Sequence, residues 1–312
     1  MNQRITRRRF GQLVLTASAA TGIATFASRL LAQTTLIKNS SVLVGVSFSR
    51  QGSSGFSPRA TTGSSQLVVQ SLDLKTGQVQ IQTSIPVQQQ TNSKPQPLTT
   101  AAHNLQPYEQ LSALTSLLDG TLIIATNPVR GSEQANPTRL TIVQGSSSQT
   151  LNLSKLAPHE GLWSLLGTND GSLIGLVGKK SGGLPYRLAH IDIQTGQLSF
   201  ISFTLPTNEW FNNLTQSPDG KIYATAVKFK GGISLVQLDL RQGRLIRLPQ
   251  LSFKARYWSD GLNSLTCSPG GKFLALATPN RYASIKYLYT VEPGTGAMSL
   301  QGTFDVNQIT FT

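Results

Sequence analysis

Residues 209–220 read EWFNNLTQSPDG, and the pattern returns as EQLSALTSLLDG at 109–120, EGLWSLLGTNDG at 160–171 and DGLNSLTCSPGG at 260–271. Each copy starts on an acid, Glu109, Glu160, Glu209 or Asp260. Each closes on a glycine, Gly120, Gly171, Gly220 or Gly271, giving a period of 51, 49 and 51 residues. Behind each glycine stands a short apolar run: LIIAT, LIGLV, IYATA, FLALA. Two short strands around a tight turn of this kind form a β-hairpin.

A second hairpin signature lies between the copies. It reads LVVQSLDLKTGQVQIQ at 67–82, LAHIDIQTGQLSFI at 188–201, LVQLDLRQGRLIRL at 235–248 and LYTVEPGTGAMSLQ at 288–301, with a degenerate copy, LTIVQGSSSQTLNL, at 140–153. Apolar and polar residues alternate on both sides of Gly77, Gly145, Gly196, Gly243 and Gly296, as half-buried strands require. Two hairpins per repeat make a four-stranded blade, and radially arranged blades make a β-propeller. The expected fold is all-β, with five blades. The first blade begins at Val42-Leu43-Val44-Gly45-Val46, which matches a second strand and lacks an innermost one. Residues 305–312, DVNQITFT, match an innermost strand, so they should complete the first blade and close the ring, hiding two open edges. The stretch SPDGKIY at 217–223 resembles the YVTN and WD40-like propeller repeats, a resemblance of repeat type over residues 41–312.

The N-terminus has a different character. Thr6-Arg7-Arg8-Arg9-Phe10-Gly11-Gln12-Leu13 resembles a twin-arginine translocation signal. A short, diluted apolar stretch follows, and Leu30-Leu31-Ala32 before Gln33 reads as a cleavage site. The expected organisation is a signal peptide over 1–32, a short segment over 33–40 and one propeller domain over 41–312. The resemblance implies export of a folded chain to the periplasm, or to a thylakoid lumen in a photosynthetic source. No second apolar span occurs, so no membrane span is expected in the mature chain. Cys267 is the lone cysteine, which removes intramolecular disulfides and cysteine-rich metal sites and reads as a small buried hydrophobe.

The formal charge is +14; without Arg4, Arg7, Arg8, Arg9 and Arg29 it is +9. This balance favours an anionic partner, protein or small molecule. No basic helix or aromatic-basic motif points to nucleic acid. A monomer is expected.

In propellers, the loops entering the innermost strands and those between second and third strands share one face. Glu109, Glu160, Glu209 and Asp260 hold one repeat position there, and Asp305 stands near it in the closing blade. Radial symmetry puts these acids around one channel mouth. They read either as a carboxylate ring for a divalent cation, calcium or magnesium, or as hydrogen-bond acceptors repeated for blade joining. His159 lies beside Glu160 as a candidate ligand-binding residue. Arg50, Arg59, Arg130, Lys179, Lys180, Lys228, Lys230 and Arg281 fall in the second kind of loop as a basic rim. Arg50–Ser65, rich in Gly and Ser, and Val87–Ala102, rich in Gln, Thr and Pro, read as loops on the domain. No nucleophile motif, phosphate loop or zinc helix occurs. The chain therefore reads first as a binding or scaffold propeller working through its channel face. The alternative is a metal-dependent hydrolase, lyase or cyclase.

Overall fold

The computed structural model describes residues 42–50, 65–86, 109–128, 137–145, 147–181, 184–228, 231–279 and 285–312. All lie within the unit Ser41–Thr312. The twin-arginine stretch, most of the loop 50–65, all of the loop 87–102, Arg59, Arg130, Lys230 and Arg281 lie outside the described residues, as do the side chains of Arg50 and Glu109.

The chain lays down its strands blade by blade. The first blade holds β1 (Leu43–Arg50), β2 (Ser65–Leu72) and β3 (Val79–Pro86). The second holds β4 (Glu109–Ser116), β5 (Leu122–Pro128), β6 (Arg139–Gln144) and β7 (Ser147–Asn152). The third holds β8 (Glu160–Gly167), β9 (Leu173–Lys179), β10 (Arg187–Ile191) and β11 (Leu198–Phe200). The fourth holds β12 (Glu209–Gln216), β13 (Ile222–Lys228), β14 (Ile233–Asp239) and β15 (Arg244–Gln250). A small hairpin, β16 (Ser252–Phe253) and β17 (Arg256–Tyr257), precedes the fifth blade. That blade holds β18 (Leu262–Cys267), β19 (Phe273–Ala277), β20 (Tyr287–Val291) and β21 (Ala297–Thr303). Last comes β22 (Gln308–Phe311), which pairs with β1 as the innermost strand of the first blade, from Leu43 opposite Phe311 to Val46 opposite Gln308. Innermost strands touch in the order β4, β8, β12, β18, β22 and back to β4, so the ring is closed. Among the described residues no helix is long and apolar enough to cross a membrane.

The second strand of each blade is mostly apolar because a blade is sandwiched between two neighbours. In β5 every residue is buried. Successive side chains point to opposite faces, so Tyr223 packs with Phe273 of the fifth blade while Ala224 packs with the third. Buried apolar clusters accordingly lie between each pair of blades, including the closing pair, where Leu43 and Leu72 meet Leu274, Leu276, Ile309 and Phe311.

The fifth blade is wider than its repeat. Strand β16 adds in parallel to its outer edge, with Ser252 opposite Ala297 and Phe253 opposite Met298. The Ser252 N–H donates to the Gly296 carbonyl at 2.8 Å. A side chain on Gly296 would collide with the Gln250 carbonyl, and its φ of 72° disfavours L residues as well. The glycine read as a turn former thus also lets one blade's exit run along the edge of the next.

Each of β4, β8, β12 and β18 carries a β-bulge three or four residues past the repeat acid, between Leu111 and Ala113, Leu162 and Ser164, Asn212 and Thr215, and Leu262 and Ser264. A bulge re-aims the backbone. Just past it, Ser164 accepts from the Leu214 N–H at 2.7 Å and Ser264 from the Ile309 N–H at 3.1 Å. These two buried serines thus bond to the backbone of the neighbouring blade.

Candidate functional site

The innermost strands all enter from one end of the channel. Their C-terminal ends line a single cavity, so their N-terminal ends, which carry the repeat acids, form the opposite mouth.

At the acid mouth, two carboxylates are held by arginines from the outer strands of their own blades. Glu160 Oε1 accepts from Arg187 at 2.7 Å, and its Oε2 accepts from the Ala157 N–H at 3.1 Å. The Arg187 guanidinium also lies 3.7 Å from the centre of the Phe200 ring, a cation–π placement. Glu209 Oε1 accepts from Arg247 at 2.6 Å, while its Oε2 is buried without a partner. Asp305 is exposed, with Lys286 at 3.6 Å. Asp260 is half-buried and has no charged partner among the described residues. Glu109 begins β4 in register with Pro128.

The basic residues divide. Lys179 and Lys228 end β9 and β13, are exposed, and stand in register with Glu160 and Glu209. Neither has an acidic side chain on its ammonium among the described residues. Lys180 is buried, with its Nζ donating to the Pro158 carbonyl at 2.8 Å. The His159 side chain is exposed, and its carbonyl accepts the Lys180 N–H. Trp163 donates its indole N–H to the Lys179 carbonyl at 2.9 Å and packs on Gly178 and the core between blades three and four.

These contacts bear on cation chemistry. A hard divalent ion at Glu160 or Glu209 would have to displace, or share the carboxylate with, a guanidinium already bound to its Oε1. Among the described residues no three Asp, Glu, His or Cys side chains converge as a metal-binding group. The two ion pairs should differ in worth. The Glu209 side chain is 4% exposed and Glu160 14%. Arg247→Ala leaves a buried carboxylate without its cation and should cost about 2 kcal/mol, between surface and fully buried pairs. Arg187→Ala should cost under about 1 kcal/mol. Urea denaturation of the two variants checks the order; equal losses would contradict it.

The opposite mouth was not singled out by the sequence. Its cavity of about 370 Å³ is lined by Thr115, Thr215, Thr266 and Thr310, with Leu166 at the equivalent place in the third blade. The readable signal was a threonine six residues past the acid in three of the four copies, matched by Thr310 in the closing strand. Cys267 lies in the same lining, and burial pushes its thiol up to about 11, so it stays protonated at neutral pH. The turn acids nearby are structural. The Lys221 ammonium and the Ser217 hydroxyl hold Asp219 down at about 2, and the Thr168 hydroxyl does the same for Asp170.

Comparison with known proteins finds likeness to solved structures at low identity. No family model and no curated protein matches it. Among solved structures it is similar to the calcium-binding protein regucalcin from Agrobacterium tumefaciens strain C58, with 14% identity over 75% of this chain and 69% of that chain and a TM-score of 0.40. It is similar to TolB from Acinetobacter baumannii, with 13% identity, a TM-score of 0.43, and coverage of 80% of this chain and 54% of that chain. It is also similar to a protein of unknown function from Bacteroides caccae, with 12% identity, a TM-score of 0.47, and coverage of 87% and 99%. At these identities the likeness is one of fold.

Proposed function

We propose that this chain is an exported binding propeller, carried across a membrane by its twin-arginine signal, whose acid-bearing mouth docks an anionic protein. The observation that carries the reading is the charge balance of blades three and four. Glu160 and Glu209 are each answered by an arginine, and each also faces a lysine across the strand pair. Two acids therefore meet four cations, and Lys179 and Lys228 remain exposed to a partner. A rim of this sign steers an anionic surface toward the mouth and loses its pull as salt screens it. In blades three and four, Glu160 and Glu209 then act as anchors that hold the arginines in place.

The test uses poly-glutamate as the anionic probe, with the mature chain and rising salt. Lys179→Glu with Lys228→Glu should weaken binding roughly tenfold. Lys75→Glu with Lys272→Glu changes net charge equally at turns away from this mouth and should weaken it less than about twofold. Equal losses in the two double variants would mean that overall charge binds the probe, and the docking face would be wrong.

A further inference from the structure

The cavity at the opposite mouth has the features of a built site. Thr115, Thr215, Thr266 and Thr310 come from four different blades and are each more than nine-tenths buried. Their hydroxyls are not all consumed by the fold. Thr115 accepts from the Gly167 N–H at 2.9 Å and keeps its proton to donate. Thr310 shares a 3.5 Å contact with Ser116. The hydroxyls of Thr215 and Thr266 have no protein partner among the described residues, although both side chains line the cavity. Neither oxygen is wholly shut off from the cavity, so each is free to bond a group that enters it.

The lining also limits what that group is. It contains hydroxyls, amides, aliphatic carbons, the aromatic Phe311 and one thiol, and no charged side chain. No side chain of the lining would offer an opposite charge to an ion that gave up its water there. A hydroxyl both donates and accepts, so a ring of them matches a ligand that does the same. Leu166 breaks the ring in the third blade and gives the space one apolar sector. The volume of about 370 Å³ is near the lower end for ligand pockets. At about 30 Å³ per water-sized group it holds on the order of a dozen heavy atoms. We propose that this cavity binds a small neutral polyol of monosaccharide size, with Thr215 and Thr266 as hydrogen-bonding partners. This site is separate from the docking face and does not depend on it.

The experiment measures thermal stabilisation and calorimetric binding of the mature chain with D-glucose, D-galactose, D-mannose and myo-inositol. Glucuronate and glucosamine serve as charged counterparts. At least one neutral member should bind and raise the melting temperature, and its charged counterparts should bind at least about tenfold more weakly. Thr215→Val and Thr266→Val keep the side-chain shape and remove the hydroxyl. Each should weaken binding about tenfold, while Thr266→Ser should retain it. Circular dichroism confirms that the variants are folded, and the serine variant keeps the test decisive if a valine variant is not. The proposal is overturned if no neutral member binds, if the charged counterparts bind equally well, or if both valine variants bind like the parent.

Discussion

Deleting residues 307–312 should abolish cooperative unfolding of the whole domain rather than fray one end. Strand β22 supplies the innermost position of the first blade and contacts both β18 and β4. Ile309 is 1% exposed and Phe311 7%, and both sit in the cluster between the fifth and first blades. Losing a buried Ile or Phe costs about 2–5 kcal/mol each through lost transfer energy and the void left behind. The deletion also removes the partners of Ser264, which accepts from the Ile309 N–H, and of Ser116, which donates to the Phe311 carbonyl. It exposes the edge of β1 as well, and an open edge invites pairing with another chain. Together these losses are comparable with the whole stability of a typical domain, about 5–15 kcal/mol. Differential scanning calorimetry should show no native transition, or one lowered by more than about 15 °C. A truncated chain that melts like the intact one would show that the ring does not depend on its closing strand.

The second large effect is expected at Asn127→Ala. Asn127 ends the apolar run of β5 and is fully buried. Its Oδ1 accepts from the Leu162 N–H at 3.0 Å and from the Thr138 hydroxyl at 3.0 Å. Its Nδ2 donates to the Leu162 carbonyl at 2.6 Å. One amide thus satisfies both backbone groups of a residue in the next blade. Gly161 leaves the room for it, since a Cβ there would stand 2.5 Å from Oδ1. Alanine leaves the Leu162 groups buried and unpaired, so the expected cost is about 3 kcal/mol, or roughly 10 °C in melting temperature for a domain of this size. Ser112→Ala is the control: its hydroxyl is buried without a partner, so removing it should change stability by less than about 0.5 kcal/mol. Similar losses in the two variants would refute the latch.

The ring was legible because its information is local and repeated. The period shared by Gly120, Gly171, Gly220 and Gly271 marks one turn per blade, and all four have the positive φ that such a turn needs. The incomplete ends could be matched because an innermost strand and a second strand differ in what precedes them. The β16–β17 hairpin was not legible, because its strands are two residues long and its turn uses Lys254 and Ala255 at positive φ where glycine or asparagine would signal it. The bulges were hidden for a related reason. An extra residue in one strand is visible only against its partner.

The candidate site divides in the same way. That an acid stands at or shortly before each innermost strand, and that basic residues fall at or beyond the ends of the second strands, could be read from the repeat. Which cation each acid holds could not. Glu160 pairs with Arg187 on β10 and Glu209 with Arg247 on β15, strands at different distances from the channel. That choice depends on register and on side chains reaching across a twisted sheet, which no repeat position records.

What sequence alone determined, then, is the modular plan: five blades, the closing strand and a repeated acid at the strand entrances. Each follows from side-chain period and turn chemistry within about fifty residues of chain. The tertiary structure decided the rest. The threonines that face one cavity are separated by whole blades in the chain, and only the closing of the ring brings them to a common space. The same closure sets the inter-blade latches and the arginine pairing, because these depend on contacts between segments whose sequence separation carries no mark of their neighbourhood.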